Sequence, residues 1–369
     1  MKAIAIIPES KTVRTIDIPE PSIVETDEIK IKVLRVGICG TDREEVAGGR
    51  ALAPKGRNEL IIGHEMLGQV VEVGKEVRRI KPGDFTVLTV RRGCGTCLPC
   101  IMNRSDMCTT GNFTERGIWK QDGYEAEYVV DKEQYAVHIP AELEPIGVLT
   151  EPMSIVEKAI DEAVRIQTIR LPDAPATPHW LFGRRCLVAG LGPVGLLGAL
   201  ALRLRGAEVY GLDIVDENSS RPKWLSSIGG HYIDGRKIPA DHVDEAIGFM
   251  DLILEAAGIT RLDFDLFDSL ATNGIYILTG IPDGDRLIQV SGARLMRTLV
   301  LKNQIMVGSV NASRDHFQMA VNDLAVANAK WGNLVRELIT HRYFYTDFMK
   351  VFSAHSSDEI KAVIEWTKG

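Results

Sequence analysis

Between Arg184 and Asp213 the sequence carries a pattern that few folds accommodate. Cys186-Leu187-Val188-Ala189 is a short, wholly apolar run, and Gly190-Leu191-Gly192-Pro193-Val194-Gly195 follows at once. Residues 194–204 are rich in Ala and Leu, and Val209-Tyr210-Gly211-Leu212 is a second apolar run that ends in Asp213. The spacing predicts strand, tight turn, buried helix and strand. Strands without a polar face belong in a parallel sheet covered by helices on both sides. Residues 252–256, 274–278 and 304–308 read as further strands with helical stretches between them, so the expectation is a doubly wound α/β domain. At its first turn the glycines let a pyrophosphate approach the backbone, and the helix start offers N–H donors and a partial positive charge. Gly190, Gly192, Pro193, Val194 and Gly195 therefore read as a dinucleotide cradle, with Asp213 accepting hydrogen bonds from the adenine ribose hydroxyls. A carboxylate there repels a 2′-phosphate, and Ile214 and Val215 follow it rather than arginine. Arg221 is near enough to reach a phosphate, so NAD is favoured and NADP tolerated.

The chain has 369 residues, too many for one ordinary core, and its first part is patterned differently. Residues 2–7, 29–36, 70–73, 85–90 and 124–130 read as strands, and residues 42–59 as a polar stretch. A helix is expected over 154–166. Residues 167–183, with Pro172, Pro175 and Pro178, read as a connection. Helices are expected again over 316–329, 334–338 and 357–368. The net charge of −7 argues against nucleic acid or an anionic membrane surface as partner. No apolar run approaches the roughly 18 residues that span a bilayer. Met1-Lys2-Ala3-Ile4-Ala5-Ile6-Ile7-Pro8-Glu9 is too short and too soon charged for a secretory leader, so a cytoplasmic location is expected.

Four of the six cysteines, Cys94, Cys97, Cys100 and Cys108, form C-x2-C-x2-C-x7-C. Four thiolates can surround zinc tetrahedrally and leave no open position, which is a structural site; an iron–sulfur cluster is the main rival. Cys186, inside an apolar strand, reads as a small buried hydrophobe. A second metal candidate joins Cys39, His64, Glu65 and Glu151, each at or beside a glycine or proline turn. Catalytic zinc takes about three protein ligands and keeps one position open. Four candidates for three or four places leave open whether Glu65 or Glu151 binds directly. Asp42, three residues past Cys39, reads either as the acceptor for the His64 ring N–H or as a turn cap.

These motifs, in this order, resemble the zinc-dependent medium-chain alcohol and polyol dehydrogenases. The matching residues are Gly37-Ile38-Cys39-Gly40-Thr41-Asp42, Gly63-His64-Glu65 with Gly68 and Gly74, the four-cysteine lobe, and Gly190 to Gly195. Within the family the chain looks most like the archaeal and bacterial glucose 1-dehydrogenases. The residues that carry this are Val90-Arg91-Arg92-Gly93-Cys94-Gly95, Thr110-Gly111-Asn112-Phe113-Thr114-Glu115-Arg116-Gly117, Glu151-Pro152, and Val310-Asn311-Ala312 with His316-Phe317.

The resemblance implies a GroES-like, mainly β catalytic domain from residues 1–165 and 311–369, with a zinc lobe at about 91–110, and a Rossmann domain over 166–310. It implies two zinc ions, one held by Cys39, His64 and Glu65 with Glu151 as a direct, exchanging or water-mediated ligand. Thr41 would contact substrate and relay its proton. Glu115, Glu151 and Asn311 match positions that contact sugar hydroxyls, with Glu157 and Thr89 as further candidates. Thr279, Gly280, Ile281, Ser309 and Asn311 would line the nicotinamide side. The implied reaction is oxidation of an aldose at C1 to the lactone by NAD(P), in a homodimer or homotetramer. Rivals are another polyol, secondary alcohol or threonine dehydrogenase, and a non-catalytic nucleotide-binding sensor.

Overall fold

The computed structural model describes residues 1–172, 178–282, 284–285, 287–353, 356 and 358–367. The chain forms two compact units, Met1–Ser154 with Asn311–Asn328 and Val335–Gly369, and Ile155–Val310 with Ala329–Leu334. The first change-over falls inside the helix Thr150–Arg170. Of the proline-rich connection, Pro175 lies outside the described residues.

The second unit holds a six-stranded parallel sheet in the order His231–Asp234, Glu208–Asp213, Arg185–Ala189, Met250–Glu255, Leu270–Leu278, Ile305–Gly308. Numbered along this unit, that is 3-2-1-4-5-6, the doubly wound order whose switch point lies beside the first strand. Cys186, Leu187, Val188 and Ala189 are fully buried, as an apolar strand between two helical layers requires. The helix Pro193–Leu204 starts with Pro in its first turn, where a missing N–H does no harm.

The first unit is organised by the strand Glu28–Gly37, whose Ile29, Ile31 and Val33 point inward. It belongs to a seven-stranded sheet ordered Ala136–Ile139, Phe85–Leu88, Glu65–Val73, Glu28–Gly37, Lys361–Glu365, Ile339–Phe344, with Tyr128–Lys132 also on Glu28–Gly37. A three-stranded sheet (Thr12–Asp17, Lys2–Ile7, Leu60–Ile61) and a small one (Arg91–Arg92, Thr114–Arg116, Lys120–Gln121) complete it.

Two expectations need correcting. The helix expected over 357–368 is instead the strand Lys361–Glu365, antiparallel to Glu28–Gly37; Ser357 and Lys368 lie outside the described residues. Ala362-Val363-Ile364 is buried on both faces, and a short run apolar on both faces has no period that separates strand from helix. The polar stretch 42–59 contains the end of the helix Gly40–Ala47, hidden because its inward face carries Asp42 and Glu45 rather than apolar residues.

Candidate active site

The register of the central sheet assembles the first metal candidate. Gly37 pairs with Glu65, so the end of one strand and the start of its neighbour lie side by side. Cys39 leaves the first strand as the N-cap of Gly40–Ala47, and His64-Glu65 opens the second. One ligand atom each from Cys39, His64 and Glu65 lie within 4.8 Å of one another. His64 and Glu65 are buried, and Glu65 Oε1 has no hydrogen-bond partner. A thiol, an imidazole and an orphaned carboxylate oxygen converging in the interior fit a divalent ion of borderline softness.

Around them, Asp42 caps the turn at Cys39 and faces the His64 ring without a hydrogen bond to it. Its Oδ2 accepts the Cys39 backbone N–H at 2.8 Å, and its Oδ1 lies 3.4 Å from His64 Nδ1. Burial alone would raise the Asp42 carboxyl; the charge of the nearby His64 and the hydrogen bond from the Cys39 N–H hold it below the usual range. Glu151, in the first turn of Thr150–Arg170, stands outside the tight three-atom group. Burial first, then the neighbouring Glu65 and Asp42, push it up to about 7 against the pull of His64 and Lys361. Thr41 Oγ1 is 3.9 Å from Cys39 Sγ.

Lys361 was not anticipated. Its fully buried ammonium forms an ion pair with Glu65 Oε2 and donates to the Ile38 carbonyl at 3.0 Å. Its sequence signal was a lysine opening an apolar run, which the mistaken helix obscured.

In the same unit Glu115 and Asn311 come together. Glu115 Oε1 accepts from Asn311 Nδ2 at 2.7 Å and from Arg91 Nε and Nη2 at 3.1 and 2.9 Å. Asn311 adopts a left-handed backbone, φ 60°. Arg91 also lies over the Phe113 ring and donates to the Asp106 carbonyl. Thr89 is buried, with Oγ1 accepting from Arg92. Glu157 is placed in the other unit, where its buried carboxylate pairs with Arg205 at 2.6 Å.

The four lobe cysteines also converge, with all four sulfurs within 4.8 Å. Cys94 and Cys100 are 3.9 Å apart, and Cys97 and Cys108 4.0 Å. Those separations are near the ~3.8 Å edge of a tetrahedron of sulfurs at about 2.3 Å from zinc. A disulfide needs about 2.05 Å. Hydrogen bonds from Thr110 and Thr96 lower the Cys94 thiol to about 5, which favours the thiolate a metal needs.

In the second unit the turn after Arg185–Ala189 is shaped for a close-lying ligand. A Cβ on Gly195 would sit 1.8 Å from the Gly190 carbonyl oxygen, while one on Gly192 would enter open space. Gly192 caps the following helix with no side-chain bond, so the N–H groups of its first turn are available to an anion. Asp213 Oδ2 accepts the Leu191 N–H at 2.8 Å and lies 3.7 Å from Arg221. Glu255, another unanticipated residue, accepts N–H bonds from Ala257, Gly258 and Gly280 and so ties together the loops after two neighbouring strands. Thr279 Oγ1 donates to the Glu255 carbonyl at 2.5 Å, Ile281 is half exposed, and Ser309 is buried.

A chain that holds a mainly β unit, with a largely buried mixed-ligand group and a partly exposed four-cysteine group, and a doubly wound nucleotide fold has a zinc-type alcohol dehydrogenase architecture. Comparison with known proteins agrees: the family model for the alcohol dehydrogenase GroES-like domain matches residues 25–141, and that for the glucose dehydrogenase C-terminus matches residues 144–366. Glucose 1-dehydrogenase 2 of Vulcanisaeta moutnovskia is 36% identical over 99% of both chains. Glucose 1-dehydrogenase of Methanocella arvoryzae is 35% identical over 99% of both. The structure of Haloferax mediterranei glucose dehydrogenase in complex with NADP, Zn and gluconolactone superposes with a TM-score of 0.89 at 31% identity, covering 100% of each chain. The chain belongs to the glucose dehydrogenase family of the GroES-like alcohol dehydrogenases.

Proposed function

We propose that this protein oxidises an aldose such as glucose at C1 to the lactone, with zinc and a nicotinamide dinucleotide. The observation that carries the reading is the buried convergence of Cys39, His64 and the orphaned Glu65 oxygen in a chain of this family. Bound there, zinc supplies Lewis-acid polarisation of the C1 hydroxyl, and the dinucleotide supplies the hydride acceptor. The protein's own residues do the rest. Cys39, His64 and Glu65 hold the ion, and Glu151, whose carboxyl feels the charges of His64 and Glu65, exchanges with Glu65 or binds through water. Asp42 keeps the His64 ring oriented. Thr41 Oγ1 would accept the proton leaving the C1 hydroxyl only as it passes its own hydroxyl proton on to solvent, and so acts as a relay. Glu115 and Asn311, locked to each other and to Arg91, present fixed polar atoms to the other hydroxyls, which suits a polyhydroxylated molecule better than a simple alcohol. Cys94, Cys97, Cys100 and Cys108 hold a second, structural zinc.

Gly190, Gly192, Pro193, Val194 and Gly195 cradle the pyrophosphate, and Asp213 takes the ribose hydroxyls. Thr279, Gly280, Ile281, Ser309 and Asn311 serve the nicotinamide end. NAD is the preferred cofactor because of the Asp213 carboxylate, and Arg221 beside it allows NADP. The assembly is a homodimer or homotetramer. The edge strand Ile305–Gly308 and the exposed Met296, Val300 and Leu301 of the helix Gly292–Leu301 support this. Among the described residues no helix is long and apolar enough to cross a membrane. The free thiols suit a reducing, cytoplasmic compartment.

The test is turnover of glucose, galactose, xylose and unbranched alcohols with NAD and with NADP, together with zinc per chain. Turnover of unbranched alcohols alone would remove the sugar reading, and one zinc per chain would remove the two-site assignment.

A further inference from the structure

Glu255 holds more than its place in the sheet requires. It is the last residue of the strand Met250–Glu255, paired with Ala189 on one side and Leu278 on the other, and it is fully buried. Its Oε1 accepts the N–H groups of Ala257 and Gly258, both at 2.6 Å, and its Oε2 accepts the Gly280 N–H at 3.1 Å. One carboxylate thus takes three donors from two loops, residues 256–258 after its own strand and 279–281 after the next. Only a group without donors of its own satisfies all three, because the amide of a glutamine would turn its NH2 towards one of them.

The packing of these loops extends the reach of the carboxylate. Ala257 lies against the first glycine of the cradle, where a Cβ on Gly190 would sit 2.9 Å from the Ala257 backbone nitrogen. The two loops themselves meet backbone to backbone. A Cβ on Gly280 would sit 2.3 Å from the Gly258 nitrogen, and one on Gly258 would sit 2.9 Å from the Ile281 carbonyl oxygen. Thr279 is tied to the same residue, its N–H and Oγ1 donating to the Glu255 carbonyl at 3.0 and 2.5 Å. A continuous run of contacts therefore leads from Gly190 through Ala257 and Glu255 to Gly280. One end is where the pyrophosphate is proposed to lie, and the other is where the nicotinamide is. The two oxygens of one side chain set the distance between them, through the stronger class of hydrogen bond that a carboxylate makes.

We infer that Glu255 is a positioning residue that fixes the loop 279–281 against the cradle and so holds the nicotinamide end of the dinucleotide at a set distance from its pyrophosphate end. This rests on the cofactor placement proposed above. The buried carboxylate does not reach the cofactor; it acts through the backbone of Ala257, Gly258 and Gly280. Cutting its bond to Gly280 alone should leave the pyrophosphate end as it is and loosen the nicotinamide end. A carboxylate that served the fold alone would not produce that split.

Glu255→Gln makes that cut, since its carbonyl oxygen can keep Ala257 and Gly258 while its NH2 faces the Gly280 N–H. Gly280→Ala reaches the same spacing independently, because the added Cβ forces the two loops apart. Wild type and both variants are compared by direct binding of NADH and of ADP-ribose, which lacks the nicotinamide, with melting temperature and kcat measured alongside. Where the wild type binds NADPH more tightly, NADPH and 2′-phospho-ADP-ribose are used instead. Both variants should bind ADP-ribose within about two-fold of wild type, yet lose roughly ten-fold in NADH affinity and ten- to a hundred-fold in kcat. Equal losses for NADH and ADP-ribose, or unchanged NADH affinity and kcat, overturn the inference and leave the cofactor placement standing. If Glu255→Gln does not fold, Gly280→Ala decides by the same comparison. A wild type that binds neither dinucleotide overturns the cofactor placement and takes the inference with it.

Discussion

Two groups of side chains that could hold a metal ion are built in opposite ways within one unit. Cys94, Cys97, Cys100 and Cys108 come from residues 94–108, and their separation is held by short-range turns and N–H to sulfur bonds, such as those from Thr96 and Cys97 to Cys94. Cys39, His64 and Glu65 are joined only because Gly37 and Glu65 pair in the central sheet, and Lys361 reaches them from a strand nearly 300 residues further along. The first group is half exposed, uniform in chemistry and closed. The second is mixed and largely buried, and it retains an orphaned oxygen. A local cluster makes a brace, and an assembled one makes a site whose charges the whole sheet sets.

Exchanging one ligand in each group should separate the roles most sharply. Cys39→Ser should lower kcat by about a thousand-fold or more, since Lewis-acid stabilisation is worth several kcal/mol and each 1.36 kcal/mol is tenfold. Its dinucleotide affinity and melting temperature should stay close to wild type. Cys97→Ser should instead lower the melting temperature by roughly 5–10 °C, with turnover per folded molecule largely kept. If the two variants exchanged phenotypes, the assignment of the two groups would be reversed.

Lys361→Met should destabilise the zinc-free protein by about 3 kcal/mol, because it leaves Glu65 charged, buried and unpaired. Zinc should recover much of that loss, so denaturant unfolding with and without the metal checks it. Asp42→Asn should weaken zinc binding or turnover about ten- to a hundred-fold, read by metal competition, since it loosens the His64 ring without removing a ligand.

The smallest effect concerns how the lobe is attached. Asp131 is buried between Arg92, at the lobe's entry, and Arg116. Burial would raise its carboxyl; the two guanidinium groups overcome this and hold it near about 2. A depressed carboxylate stabilises the fold above its unfolded value near 3.9, and this contribution is lost as the pH falls towards 2. The loss should be about 2 kcal/mol, and Asp131→Asn should remove that part of the acid transition.

The same contrast governs what could be read from the residues. The four-cysteine spacing and the turn Gly190 to Gly195 are local, so their positions and neighbouring strands were legible. Cys39, His64 and Glu65 were legible as ligand types at turns and were grouped with Glu151 as one metal candidate, but that Glu151 stands outside the tight three-atom group was not. Lys361 was missed because Ala362-Val363-Ile364 has no period that tells a buried strand from a helix. Glu255 was missed because its role lies in accepting backbone N–H groups, which side-chain spacing does not record. Glu45 was lost among the charges of residues 42–59, where a buried acid and an exposed one look alike.

The place of Lys361–Glu365 in the central sheet also bears on synthesis. The six strands of the nucleotide unit run from Arg185 to Gly308, so that sheet can close while the chain is still emerging from the ribosome. The other sheet lacks an inner strand until residues 361–365 have been made, although its central strand emerges among the first forty residues. During translation the proposed ligands Cys39, His64 and Glu65 therefore emerge long before Lys361, the buried ammonium that pairs with Glu65, and a thiol waiting in an unfinished sheet is open to oxidation or to the wrong metal.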